Sequence, residues 1–261
     1  MSARVRHVTF LVVAGPFVLL LLWGMHGLPA FGNYRGPYGT ILNRVAVPQR
    51  HVTDVVAAVN FDYRGFDTLE EEFILFVSVA GVSLLLRTER DEMDVEPPQD
   101  EGIVRRVETS DAVRALCLGL VAPTLVLGWY IVAHGHLTPG GSFQGGIILA
   151  SALLLIYLAG EYRTLRTLSP PRRAEIIEAI GAGGFVVTGL AGLIAGVAFL
   201  QDILPLSPVG ALYSAGTIPL INLSVGLEVA GGILVIMSEF LRQALEVRLL
   251  AAAQGRRQEQ V

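Results

Sequence analysis

The 261-residue chain contains no lysine, and all 19 of its basic residues are arginine. That absence removes Schiff-base chemistry, Ser-Lys nucleophiles and the P-loop lysine together. The one cysteine, Cys117, lies in an apolar run and closes no internal disulfide. Neither H-E-x-x-H nor G-x-S-x-G occurs, so no signature of an intramembrane hydrolase is present. Charge is scarce at 16% of residues, and a net charge of -4 offers no basic field for nucleic acid.

What the chain has in excess is apolar surface. A hydrophobic fraction of 52% and a mean hydropathy of +0.58 exclude an ordinary cytosolic enzyme and point to a chain dissolved in the lipid bilayer. A spanning helix needs about 20 apolar residues to cross about 30 Å of hydrocarbon. Six uncharged runs approach that length: Val8 to Met25, Phe73 to Leu86, Ala115 to Ala133, Gly145 to Gly160, Ala179 to Leu200 and Ile218 to Met237. The expected fold is therefore all-α, a polytopic membrane protein with six transmembrane helices. The second run is short. Its rise is only about 21 Å, which places Thr68 to Glu72 inside membrane depth or thins the bilayer around it.

Arginine placement orients the bundle, because short cytoplasmic loops retain positive charge. Arg4 and Arg6 precede helix one. Arg87, Arg90, Arg105 and Arg106 follow helix two; Arg163, Arg166, Arg172 and Arg173 follow helix four; Arg242, Arg248, Arg256 and Arg257 follow helix six. The connections 134–144 and 201–217 contain none. Only the long first outer segment breaks the pattern, with Arg35, Arg44, Arg50 and Arg64, and long segments obey the rule poorly. Both termini are expected in the cytoplasm. Helix one has a second reading as a secretory signal. Its length, the lack of an A-x-A site and the mismatched loop charges that cleavage would leave all favour retention.

Between helices two and three, Arg87 to Asp111 is polar and acid-rich, with Asp91, Glu92, Asp94, Glu96, Asp100 and Glu101 around Pro97 and Pro98. Such a stretch buries too little apolar surface to fold alone. It divides the chain into a two-helix unit over 1–90, a linker over 91–112, a four-helix unit over 113–245 and a polar tail over 246–261. Ahead of helix two, Val52, Val55, Val56 and Val59 form one apolar stripe of a short helix. The following DYRGFDTLEEEF sets Asp62, Arg64, Asp67 and Glu71 at a helix entrance. Capping by Asp67 or Thr68, with Glu70 to Glu72 at the positive helix end, accounts for much of this pattern.

Helix five carries Gly181, Gly184, Gly189, Gly192 and Gly196 near one face, and Gly192 to Gly196 reads G-x-x-x-G. In lipid, a face without side chains is a docking face, for a helix of this chain or of another subunit. Helix six carries Asn222, Ser224 and Glu228, and Glu228 falls about 15 Å into the helix, near mid-membrane. An acid there costs about 2.5 to 3.5 kcal/mol even on insertion scales. Its readings are an ion or proton pathway and a structural hydrogen bond to a neighbouring helix. The turn HGHLTPGGSFQGG holds His134, His136 and Gln144. No nearby Cys, Asp or Glu completes a zinc set, and without G-K-[ST] the glycines are no phosphate cradle, so no metal and no cofactor are expected. The glycines bend the chain into helix four, and His134, His136 and Gln144 are candidates for an outer-side proton or cation route.

At these residues the sequence resembles a known family. The segment from about 113 to 240, through HGHLTPGGSFQGGIILA, the helix-five glycines and SAGTIPLINLSVGLEVAGG, is similar to the MnhB/MrpB component of multisubunit Mrp-type sodium/proton antiporters. The amino-terminal unit, through DVVAAVNFDYRGFDTLEEEFILF, resembles both the MbhE-type small subunit of membrane-bound hydrogenases and the carboxy-terminal end of the large antiporter subunit. The family pattern there reads RGFDTLGE; this chain has Glu70 at the glycine, which aligns Glu71 with the family acid. The resemblance implies a fusion of two neighbouring subunits in a bacterial or archaeal plasma membrane. It further implies a membrane arm related to respiratory complex I, whose pumping subunits use Lys/Glu relays. Lacking lysine, this chain is expected to be an accessory subunit next to the pump, among other hydrophobic subunits, with Na+ or H+ as transported ions. On that resemblance Glu228, Glu71 and Asp67 are the ion-path acids, with Asp202 at an outer-side entrance. The alternatives are the same module in a hydrogenase or other respiratory complex, a purely structural subunit, and a self-sufficient carrier, for which no inverted repeat is seen.

Overall fold

The computed structural model describes residues 3–28, 32, 36–86, 109–160 and 162–259, without side chains at 3, 6, 7, 162, 163, 166 and 245–259. The acid-rich stretch read as a linker lies largely at 87–108, outside the described residues. Among the described residues every regular element is helical: α1 (Ala3–His26), α2 (Pro37–Arg50), α3 (Val55–Ala58), a π-helical turn (Val59–Tyr63), α4 (Gly65–Leu85), α5 (Asp111–Ala133), α6 (Gly141–Leu158), α7 (Tyr162–Leu168), α8 (Pro171–Ile194) and α9 (Ile218–Glu259). A helix stands at each of the six expected positions. Five are long and apolar enough to cross a membrane: Val8–His26, Asp111–Ala133, Gly141–Leu158, Pro171–Ile194 and Ile218–Ala244. The sixth, α4, has 21 residues but carries Asp67, Glu70, Glu71 and Glu72 in its first two turns.

The chain divides into two compact units, Met1–Ile41 and Leu42–Val261. The first holds α1, apolar on every face and exposed along its described length, the pattern of a helix solvated by lipid. In the second, α4 packs on α8 and α9, and α9 forms the centre, its window to Ala244 being the most buried of the five. Two antiparallel pairs build the bundle, α5 with α6 and α8 with α9, and α6 joins them through α9.

Glycine sets these approaches. A Cβ at Gly128 of α5 would strike Leu149 of α6, one at Gly145 of α6 would strike Val132 of α5, and one at Gly146 would lie 2.7 Å from the Gly226 carbonyl of α9. Without a hydrophobic drive between helices in lipid, such backbone closeness supplies the association. Polar side chains inside the spans turn back on their own helix: Ser151 Oγ donates to the Ile147 carbonyl at 2.8 Å and Thr188 Oγ1 to that of Gly184 at 2.8 Å.

Several boundaries differ from the sequence expectation. The fifth span runs from Pro171, because proline at the first helical position has no amide to satisfy, and it stops at Ile194. There Gly196 takes φ +80°, its amide bonds the Leu193 carbonyl, and that of Val197 bonds Gly192, a Schellman ending. The polar tail expected beyond residue 245 continues α9 to Glu259.

Candidate functional site

Within the largely apolar bundle core stands a row of carboxyls. Glu228 on α9 is 0% exposed, Glu178 on α8 is 4% exposed and Glu72 on α4 is 5% exposed. Around them pack Phe61, Phe185, Val225 and Val229 of the principal hydrophobic cluster, and Val79, Ala174 and Val235 of a second one. The helices admit the acids by giving up side chains opposite them. A Cβ at Gly181 of α8 would collide with the Glu228 backbone amide, and one at Gly231 of α9 would sit 2.5 Å from that of Glu178. Each acid on one helix thus rides over a glycine of the other.

On α4 the buried positions are Gly65, Thr68, Leu69, Glu72 and Val79, one face recurring every three or four residues. That face turns Glu72 into the core and leaves Glu70 and Glu71 exposed. The Glu72 and Glu228 carboxyls meet there, and Glu178 stands close enough for its charge to act on Glu228. Both Glu228 oxygens, Glu72 Oε2 and Glu178 Oε1 are buried without a protein donor in regular hydrogen-bond geometry. Among the described residues no arginine or histidine forms an ion pair with them. Like charges so placed in apolar surroundings repel strongly unless a proton or small cation lies among them. That is the chemistry the arrangement supports.

The bundle end carrying the 134–140 turn and the 195–217 loop is tied together by Thr53 Oγ1 donating to the Leu137 carbonyl at 2.6 Å, the Asp54 amide to that of His136 at 3.1 Å, and the His51 ring Nδ1 meeting the Ser207 carbonyl at 2.5 Å. Into this end opens a cavity of about 550 Å³, lined among others by Asp54, Asn60, Thr68, Glu71, Glu72 and Gln144. Asp54 caps α3 by accepting from the Val56 amide at 3.1 Å, and partial burial pushes its carboxyl above the ordinary carboxylate range.

The remaining sequence candidates separate from the core. Asp67 is exposed and pairs with Arg64, also exposed, one turn away. Asp202 organises its own loop: Oδ1 accepts from the Thr217 amide at 2.9 Å, Thr217 Oγ1 at 3.2 Å and the Leu204 amide at 3.2 Å. Only glycine fits beside it, since Gly216 has φ +55° and a Cβ there would collide with the carboxylate. Asp62, on the π-helical turn, bonds Arg50; burial pushes its carboxyl up against the downward pull of that arginine. His134 stacks on Tyr130 with ring centroids 4.2 Å apart, its Nδ1 2.9 Å from the Tyr130 carbonyl. His136 is 0% exposed beside Ala211 and Leu212, and burial pushes its imidazole below the ordinary histidine value. Among the described residues no cluster of histidine, cysteine, aspartate or glutamate is arranged to hold a metal ion.

The glycine face also divides. Gly181 and Gly184 dock α9, whereas Gly189 and Gly192 meet Phe199 and the Ala198 carbonyl of the chain's own returning loop, and Gly196 ends the helix. The G-x-x-x-G pair therefore shapes a helix terminus within this chain.

Two core acids escaped the sequence reading, Glu72 and Glu178. For Glu72 the signal was the stripe Gly65, Thr68, Leu69, Glu72 and Val79; for Glu178 it was Ala174, Glu178, Gly181, Phe185, Gly189 and Gly192, a single face reaching back to Pro171.

Residues 112–235 match a domain described as related to the MnhB subunit of Na+/H+ antiporters. A putative antiporter subunit of Staphylococcus aureus, mnhB2, is 31% identical over 135 residues, which cover 50% of this chain and 93% of that one. Among solved structures, a chain of the membrane-bound sulfane sulfur reductase, an archaeal respiratory membrane complex, superposes with TM-score 0.68 at 32% identity, covering 92% of this chain and 99% of that one. A chain of the Mrp complex from Dietzia sp. superposes with TM-score 0.69 at 25% identity, covering 92% of this chain and 26% of that longer one.

Proposed function

Because this chain belongs to the MnhB-related family of antiporter subunits, we propose that it is an accessory membrane subunit of an Mrp-type cation/proton antiporter module. It works in a plasma membrane beside other hydrophobic subunits and supplies part of the route for Na+ or H+. The observation that carries this reading is the meeting of Glu72 and Glu228 inside an apolar core with no basic partner among the described residues. Such a pair is stable where a proton or small cation is held between its members, and an ion route supplies one. The chain supplies no catalytic group and no cofactor, and it has no lysine for a pump's own relay.

Arginine-free loops at 134–144 and 201–217 support placing that end of the bundle outside the cell and both termini in the cytoplasm. In origin the chain joins a segment over 1–90, alike to the end of the large antiporter subunit or to an MbhE-type chain, through a cytoplasmic linker over 91–112 to the MnhB-like segment over 113–245, with 246–261 as its tail. The single long Dietzia chain that aligns with 92% of this one supports such a junction.

The test compares membrane vesicles containing the whole complex with vesicles from cells lacking this subunit. Sodium-dependent proton flux is expected with it and absent without it, and the purified chain is expected to bring other hydrophobic subunits along. Undiminished flux in its absence would sink the reading. A second reading, the same role inside a redox-driven respiratory complex, is favoured by the 99% coverage of the sulfane sulfur reductase chain. A redox protein among the co-purifying chains decides for it.

A further inference from the structure

We propose that the cavity bounded by α3, the π-helical turn, the outer end of α4 and the 134–144 turn is a hydrated entrance that admits a small monovalent cation to Glu72. The proposal deepens the function given above and rests on it for which ion is transported, though not for the existence of the entrance.

Four observations converge. The cavity of about 550 Å³ has room for a cation with a retinue of water, at about 30 Å³ for each molecule. Its wall carries Asp54 and Glu71 with the neutral polar groups of Asn60, Thr68 and Gln144, and among the described residues no basic side chain lines it. Its wall includes Glu72, which is 5% exposed and whose Oε2 has no protein donor in regular hydrogen-bond geometry, the Glu228 carboxyl being its neighbour. Behind its Gly135 wall lies Asn222, fully buried with both amide atoms unpartnered. A Cβ at Gly135 would lie 2.7 Å from the Asn222 Oδ1, so the glycine leaves that amide uncovered toward the turn.

The geometry beyond Glu72 gives the entrance somewhere to lead. Glu228 meets Glu72, Glu178 follows on α8, and exposed Glu175 stands one helical turn nearer the cytoplasmic end. A concave acidic wall raises the local concentration of cations and depletes anions. Neutral oxygens of Asn60, Thr68 and Gln144 replace part of a hydration shell without trapping the ion.

The single cysteine makes the test direct. In the assembled complex, with Cys117→Ala as background, Val56→Cys and Asn60→Cys place a thiol on the exposed part of the cavity wall, and neither exchange adds side-chain volume. Val79→Cys, on α4 and 2% exposed, serves as the buried control. Intact vesicles are treated from the outer side with a trimethylammonium or a sulfonate methanethiosulfonate. The cationic-to-anionic rate ratio at the cavity thiols is expected to exceed that of a small free thiol in solution by about tenfold. Val79→Cys is expected to stay unlabelled, and Asp54→Asn with Glu71→Gln should narrow the ratio. No labelling of either cavity thiol, as when a neighbouring protein fills the space, or a rate ratio no higher than that of the free thiol, would overturn the proposal. The labelling pattern in a complex that shows no sodium-dependent flux would instead overturn only the antiporter reading.

Discussion

Gly181 of α8 lies directly over the backbone of Glu228 on α9, and farther along the same pair of helices Gly231 of α9 lies over the backbone of Glu178 on α8. The two contacts are reciprocal. Each costly buried acid stands opposite a residue with no side chain, which lets the helices close around a carboxyl that a bulkier neighbour would expel.

The first prediction concerns that contact. Gly181→Leu and Gly231→Val each force a side chain into backbone, and small-to-large changes in packed cores cost about 1 to 3 kcal/mol or more. Both should lower the amount of assembled complex and its Tm. Gly183→Ala, on the same helix with nothing within 4 Å, should change neither. Equal behaviour of all three in a thermal assay would refute the packing account.

The second concerns the meeting of carboxyls. Glu228→Gln and Glu72→Gln should each cut sodium-dependent proton flux about tenfold or more with assembly preserved, since the amide keeps shape and loses the exchangeable charge. The double variant should lose little beyond either single one, because the two groups act together. Asp67→Asn should be nearly silent. Its partner Arg64 is exposed, and such surface pairs are worth about 0 to 1 kcal/mol. Flux that follows Asp67 and ignores Glu72 would invert the assignment.

A third prediction separates Asp202 from the ion path. Asp202→Ala removes the acceptor of two backbone amides and one hydroxyl, hydrogen bonds to a charged group worth about 1.5 to 3 kcal/mol each. Faster hydrogen exchange across 201–217 is expected, while Asp202→Asn keeps an acceptor oxygen and most of the flux. Flux abolished by Asp202→Asn with unchanged exchange would return the residue to the path.

The fourth concerns pH. Burial disfavours the charged form of His136, so the unfolded segment takes up a proton that the folded one refuses. The stability contributed by the neutral ring is complete above the ordinary histidine value of about 6.5 and is lost as pH falls below it. Hydrogen-exchange protection factors at 51–56 and 134–140 should therefore fall from about pH 7.5 to about pH 5.5, and His136→Gln should flatten the response. An acid response of the same size in His136→Gln would assign it to other groups.

Much of this molecule was legible in its sequence, and the exceptions have physical causes. Uncharged runs located six helices because lipid punishes charge along a span. The same criterion cut off α8 at Ala179, just short of Glu178, since a search for uncharged runs must stop at the acid that matters. Helix periodicity would have bridged the gap, because Ala174 and Glu178 continue the face of Gly181 and Phe185 back to Pro171. In α4, three consecutive glutamates hid which one turns inward. Alignment by pattern favoured Glu71, and the burial of Thr68, Leu69 and Val79 selects Glu72. The glycine stripe was legible as a candidate surface of contact. Its partner, for Gly189 and Gly192, proved to be the chain's own returning loop, which no periodicity encodes.

The reciprocal crossing of α8 and α9 also bears on descent. Positions 178, 181, 228 and 231 form one mechanically coupled block: a bulky residue at either glycine pushes away the facing backbone and the acid on it, and sliding one helix by a turn misplaces both acids at once. Lineages that keep the carboxyls must therefore keep the glycines, and a lineage that drops one acid frees the glycine facing it to drift.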